Sequence, residues 1–296
     1  MNAVPTVAAG AASPVPFPSP FGSSPFDVSV VTRPLGGVLP KGAGAMLLVL
    51  WSPKGGSGTS VVAAALALVA AGRGESRLAD LGGDQPAILG LGPGPAAGGL
   101  PEGSAQRNVL GYRPGGVDGL AGWLSAGPAA FGEWLDELAV PVAPGLSVLP
   151  RGSGDVEAAT AEAGAALAVA LRDGCTTVLD AGSGAAPAAA AVVDVADVAL
   201  VVLRPCYLAL RRAVADPRLA ASAGVVVVEE PGRALGVDDV AAVLGLPVVG
   251  RIPVRAEIAR AVDAGVLGDR LPAALAGAAA AVLDGLADLG CGRWAA

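Results

Sequence analysis

Histidine is absent from the chain. Histidine is the side chain that titrates near neutrality without help. Its absence excludes His-based acid–base chemistry, His-ligated metal sites and a Ser-His-Asp triad. Cysteine is scarce: Cys175, Cys206 and Cys291 are odd in number and far apart. They form neither a zinc signature nor a disulfide framework, and they point to a reducing cytosol. Lysine occurs only at Lys41 and Lys54, and arginine supplies every other basic residue. There is no long Lys/Arg run, and the formal net charge is −7. That balance argues against DNA as a partner, because non-specific binding depends on neutralising phosphates with basic residues. Arg204, Arg211, Arg212 and Arg218 form either a local basic patch or an ordinary solvated face.

Membrane signals are missing too. The N-terminus lacks a basic segment leading into an apolar core, so it does not read as a secretory signal. Residues 185–203 are apolar enough to invite a membrane span, but Asp194 and Asp197 lie inside it, where a charge is costly. The stretch reads instead as a helix followed by a buried strand. Residues 271–289 are Ala/Leu-rich without the basic face of a lipid-binding helix. The expectation is a cytoplasmic protein with no transmembrane segment and no clear membrane tether.

What the chain does have is apolar mass. At 296 residues, 53% of them apolar, it can bury one large α/β core. Strand-like runs at 45–51, 176–180, 197–203, 224–228 and 247–250 alternate with Ala/Leu helical stretches. Helices are expected over 61–71, 118–126, 131–139, 155–172, 207–215, 237–244, 255–264 and 271–288. Asp155 and Asp238 suit caps or first turns, and Gly174 suits a helix stop. The alternation predicts a three-layer αβα fold with a mostly parallel central sheet. Residues 1–44 are Pro-, Ala- and Ser-rich and read as a flexible tail, in which 28–31 would suit at most an edge strand. Residues 291–296 make a short C-terminal tail. Residues 82–117 are Gly/Pro-rich and too long for an ordinary connection, so they read as switch-like or as plain disorder.

The chemistry is concentrated at residues 54–60, Lys-Gly-Gly-Ser-Gly-Thr-Ser. An apolar run ending at Trp51 precedes them, and an Ala/Leu run ended by Gly72 follows. Strand, glycine loop and helix together are the setting of a phosphate-binding loop. Gly55, Gly56 and Gly58 let successive N–H groups point into one concavity, and the helix N-terminus adds partial positive charge. Ser60, at the helix start, suits both a cap and a Mg²⁺ ligand. In a chain with 44 glycines an ordinary Gly/Ser turn is the competing reading. The rarity of lysine shifts the balance, since one of only two lies in this loop. The common P-loop, G-x-x-x-x-G-K-[ST], has its lysine just before the hydroxyl residue; here that position is Thr59, and the lysine comes five residues earlier, at Lys54.

This run resembles the deviant Walker A motif, K-G-G-x-G-K-[ST], of the ParA/MinD ATPases. Thr59 departs from ParA and MinD proper and is similar to the CpaE/TadZ branch, whose members position pilus and secretion machinery. Residues 77–86 resemble the family's second motif, a strand ending D-x-D. Asp80 matches the first acid, and Gly82 falls where the second, water-orienting acid belongs. Asp84 substitutes only if the turn is longer than usual. Residues 176–182, ending Leu-Asp-Ala-Gly, look like the Walker B strand, with Asp180 holding Mg²⁺ through water. An acid at the C-terminal end of a parallel strand faces the ligand crevice. Residues 196–212 and 244–265 resemble the later strand–helix units, so the ordered likeness spans 45–290. The 44-residue tail is too short for the receiver-like domain that often precedes this ATPase in the branch.

The resemblance implies a P-loop NTPase that binds ATP and Mg²⁺ at Lys54, Gly55, Gly56, Ser57, Gly58, Thr59 and Ser60, with Asp180 as the second metal residue. Lys54, Asp80 and Asp84 are the candidate catalytic residues. Lys54 would reach the nucleotide of a partner subunit, making ATP the link between two copies of a homodimer. Loss of the in-loop lysine and of the acid at 82 implies slow or absent hydrolysis. The expected role is a spatial regulator docked on a protein of a pilus, secretion or division apparatus, at a pole or septum. ParA-type chromosome or plasmid partition and MinD-type septum-site activity are alternatives. A nucleotide-independent scaffold with a degenerate loop is a third.

Overall fold

The central strand is apolar along its whole length because helices cover both of its sides. The computed structural model describes residues 45–91, 119–126 and 133–288. The two expected tails and the segment 92–117 of the Gly/Pro-rich loop lie outside them. Strand β1 (Leu47–Trp51) is buried at every position, which is the pattern of a parallel strand covered on both faces. It runs between β5 (Thr176–Asp180) and β6 (Val198–Leu203), parallel to both. With β2 (Ser76–Asp80), β3 (Val140–Ala143), β4 (Leu146–Leu149), β7 (Gly224–Glu229) and β8 (Val248–Pro253), the sheet has the order β3-β4-β2-β5-β1-β6-β7-β8. Every neighbouring pair is parallel except β3–β4. This is the expected α/β architecture.

Side-chain alternation along β1 divides the core in two. Leu47, Val49 and Trp51 face a layer that includes α3 (Leu120–Ala126), α5 (Ala161–Ala170), α6 (Pro187–Val195), α7 (Tyr207–Ala215) and α8 (Val237–Leu244). Leu48 and Leu50 face α1 (Thr59–Ala71) and α10 (Ala273–Asp288), joined by Ile88 of α2 (Gln85–Ile88) and Ile258 of α9 (Ala256–Asp263). A further helix, α4 (Glu133–Leu138), leads into β3. Helices α5 and α6 touch almost backbone to backbone. A Cβ added at Gly164 would lie 2.2 Å from the Ala188 carbonyl oxygen, so no side chain fits at that crossing.

Two local departures from the sequence reading have clear causes. The β3–β4 hairpin was not among the expected strands, because Pro141, Pro144 and Gly145 interrupt its apolar pattern. Pro141 is tolerated because β3 is the edge strand, where a missing N–H breaks no inner ladder. The helix expected over 155–172 is two elements. Asp155 caps a short 3₁₀ turn, Val156–Ala158, and Thr160 caps α5 by accepting from the Ala163 N–H at 3.2 Å. Extended Ala159 separates the two. The apolar stretch 185–203 is α6 followed by β6, as expected, and Asp197 accepts from the Leu47 N–H and pairs with Arg172 at 2.7 Å. Among the described residues no helix is long and apolar enough to cross a membrane.

Candidate functional site

The C-terminal ends of the parallel strands open onto one cavity of about 640 Å³. Residues 54–61 form its floor, and the turns after β2, β5 and β6 form its walls. Gly56 and Gly58 have φ of 74° and 88°, a region that residues with a Cβ rarely adopt. These two glycines wind the loop into α1. No side chain caps that helix. The backbone N–H groups of residues 55–61 donate to no acceptor among the described residues. A row of unpaired amides at a helix N-terminus attracts an anion through directed hydrogen bonds and partial positive charge. Ser52 and Ser57 shape the loop from beneath, their hydroxyls both donating to the Lys54 carbonyl at 2.8 and 2.7 Å. Lys54 lines the cavity, its Nζ donating to the Gly55 carbonyl at 3.1 Å. Thr59 is buried where a P-loop lysine would stand.

Carboxylates gather on the β2–β5 side. Asp80 and Asp180 end their strands in register with each other, and both are fully buried. Burial first, and the Asp180 charge second, push the Asp80 carboxyl up to about 7, against hydrogen bonds from the Gly83 and Gln85 N–H groups. Burial likewise raises Asp180, against hydrogen bonds from Ser60, Gly182 and Gln85. Neither carboxylate is ion-paired among the described residues. Asp84 reaches back to the loop, where the Ser60 hydroxyl donates to it at 3.3 Å. The turn after β2 is therefore long enough to bring Asp84 beside Ser60.

Gly82 occupies a place where a side chain is crowded. A Cβ there would stand 3.1 Å from Asp180 Oδ2. The turn after β5 presses on the same point, since a Cβ on Gly182 would meet the Gly82 Cα at 3.2 Å. Gln85, which the sequence reading did not select, ties the walls together. Its Nε2 donates to the Ser60 carbonyl at 3.0 Å and to Asp180 Oδ2 at 2.9 Å, while its own N–H donates to Asp80. Arg151, just beyond β4, was also missed; it lines the cavity and donates to the Leu81 and Gly82 carbonyls. Its place follows only once residues 146–149 are seen as a parallel strand, because the next residues then lie at the C-terminal edge of the sheet.

The four arginines read as one patch or face are separated by the fold. Arg204 lines the cavity, and its buried Nε has no hydrogen-bond partner among the described residues. Arg211 and Arg212 are exposed on α7. Arg218 is buried, which corrects the solvated-face reading. It pairs with Asp216 at 2.7 Å, donates to the Gly184 carbonyl and stacks 4.3 Å above the Trp51 ring. Arg218 therefore fastens the loop after β5 to the end of β1. Of the three cysteines, Cys175 and Cys206 are free thiols, and Cys291 lies outside the described residues. A second cavity, of about 440 Å³, runs along the same sheet edge past β6, β7 and β8 from Pro205 to Arg255.

The fold, with this cavity at its switch from β5 to β6, is that of the ParA/MinD P-loop ATPases. A ParA family ATPase from Chlorobium tepidum TLS superposes with a TM-score of 0.59 at 19% identity, over 82% of this chain and 98% of that one. The septum site-determining protein MinD of Pyrococcus horikoshii OT3, solved with Mg-ADP, gives 0.59 at 16% identity over 83% and 97%. A putative plasmid partition protein of Borrelia burgdorferi B31, solved with AMPPNP, gives 0.61 at 12% identity over 83% and 99%. No family model matches the sequence, and no curated protein matches it.

Proposed function

We propose that the chain is a nucleotide-operated switch that binds MgATP at residues 54–60 and dimerises around it. The observation that carries this reading is the uncapped loop. Its unpaired amides line a cavity of nucleotide size, with carboxylates facing them. The residues fit a magnesium ion as well. Buried Asp180 accepts from the Ser60 hydroxyl, and neither it nor buried Asp80 has an ion-pair partner among the described residues. Among the described residues no cluster of three His, Cys, Asp or Glu side chains could hold a metal ion. That suits Mg²⁺, which draws most of its ligands from water and phosphate. When bound, it would neutralise phosphate charge. Ser60 and Asp180 would hold it, the loop amides would hold the phosphates, and the second cavity would take the nucleoside end. Lys54, which pairs with no carboxylate among the described residues, would reach the partner copy's nucleotide.

The departures at Thr59 and Gly82 support weak chemistry. The loop lacks its usual cation, and a side chain at the point where a second acid would orient water would crowd Asp180. Asp84 is the remaining candidate for that role. The likeness in residues 54–60 favours a CpaE/TadZ-like localisation factor acting through a protein partner. The partition reading has less support: Arg211 and Arg212 are two exposed cations beside the apolar Tyr207, Leu208 and Val214. Titration of wild type, Lys54→Ala and Thr59→Lys with MgATP, followed by light scattering, tests the switch. Binding and dimerisation in wild type, and loss of dimers alone in Lys54→Ala, are expected. Absence of ATP binding in wild type would leave the scaffold reading in its place. Rapid turnover would refute the argument from Thr59 and Gly82.

A further inference from the structure

We propose that Arg151 supplies the cation that the phosphate loop lacks, binding the terminal phosphates from across the cavity. The inference rests on the cavity being a nucleotide site. Among the described residues three cationic side chains line it: Lys54, Arg151 and Arg204. Their positions differ. Lys54 lies at the exposed start of the loop with its Nζ on the neighbouring carbonyl. Arg204 follows β6, on the side of the second cavity. Arg151 follows β4, on the side of β2 and β5, where Asp80, Asp84, Asp180 and Ser60 place the metal end of the ligand.

Arg151 is half-buried and has no ion-pair partner among the described residues. Its Nη1 donates to the Leu81 carbonyl at 3.2 Å and lies 3.5 Å from that of Gly82. These contacts hold the head group against the β2 turn and leave Nη2 and Nε without an acceptor among the described residues. The stem packs on Gly83, where a Cβ would stand 3.3 Å from its Cδ. A positive φ of 95° at Gly83 keeps that approach open. An arginine with two unengaged donors beside a row of loop amides is built for a multiply charged oxyanion. Since the loop's own position 59 is a neutral threonine, the charge that offsets the terminal phosphates enters from β4.

The test is calorimetric titration of ATP, ADP and AMP with Mg²⁺ at fixed ionic strength, using wild type, Arg151→Gln, Arg151→Lys and Arg151→Gln with Thr59→Lys. Arg151→Gln keeps an N–H donor for the turn but removes the charge. It should weaken ATP roughly 10- to 100-fold, the range for a hydrogen bond to a charged group, and ADP less. AMP should be unchanged, Arg151→Lys should keep most of the affinity, and the added lysine at 59 should recover ATP binding. Equal losses for all three nucleotides would mean that Arg151 only braces the turn. Unchanged ATP binding in Arg151→Gln would overturn the inference while leaving the nucleotide site intact. If wild type binds none of the three, the proposed function falls and this inference falls with it.

Discussion

Replacing Asp80 with asparagine should stabilise the ligand-free protein at alkaline pH and destabilise it at acid pH. The native carboxyl titrates near 7 against an ordinary value of 3.8. The folded chain therefore binds more protons than the unfolded one throughout that window. Stability from this group is complete below pH 3.8 and is lost as pH rises to about 7. At 1.36 kcal/mol per unit, the whole loss is about 4 kcal/mol, of which about 2 falls between pH 5 and 7. Asparagine escapes that loss but has one acceptor oxygen for the two N–H groups, Gly83 and Gln85, that Asp80 accepts. Leaving one of them unmatched costs about 1–3 kcal/mol. The variant should thus be less stable than wild type near pH 4 and more stable by about 1–3 kcal/mol at pH 8. Urea unfolding followed by tryptophan fluorescence at pH 4, 5, 6, 7 and 8 measures the difference directly. The acidic protein's general repulsion cancels in that difference. Parallel stability curves for the two proteins would refute the reasoning.

Arg218→Ala removes a buried guanidinium that pairs with Asp216, holds the Gly184 carbonyl and covers Trp51. It should cost about 2–4 kcal/mol in urea unfolding, and a change below about 0.5 kcal/mol would contradict the buried-pair description. Gly164→Val should lower yield or stability by about 3 kcal/mol or more, because α5 and α6 leave no room beside Ala188; near-normal melting would refute the crossing. Gly58→Ala forces a Cβ onto a φ of 88° and should cost about 1–2 kcal/mol. In nucleotide titrations the same change should weaken ATP binding. Gly82→Asp should fail to restore hydrolysis, since its carboxylate would be driven against Asp180; a rise in ATP turnover would show the crowding to be harmless.

The strand, glycine turn and helix over residues 47–71 were legible in the sequence because each part obeys a local rule. A fully buried strand is a continuous apolar run, a left-handed turn needs glycine, and the following helix shows its Ala/Leu content. Asp80 and Asp180 could be placed because an acid closing such a strand has only the ligand edge to face. The β4 strand was not legible, since two prolines and a glycine hide four residues whose pairing is decided by β2, seventy residues earlier in the chain. With β4 missed, Arg151 had no address. Gln85 escaped for a related reason. Its role comes from reaching Ser60 and Asp180 at once, and no spacing along the chain announces a contact between three separate turns. Arg218 was misread because a basic residue after a helix is ordinarily solvated; Trp51, Asp216 and Gly184 converge on it only in the folded chain.

The Gln85 tie also divides the cavity into two kinetic halves. On the acidic side the amides of Leu81, Gly83 and Gln85 already have internal acceptors, so the entropy of ordering that wall is lost during folding and not during binding. On the loop side the amides of residues 55–61 have none among the described residues. In hydrogen exchange the first group should be slow before any ligand arrives, and the second should be fast until one does. The chain would then meet its ligand with a rigid anvil on one side and an open hand on the other, and affinity would be set by how much motion the glycines surrender.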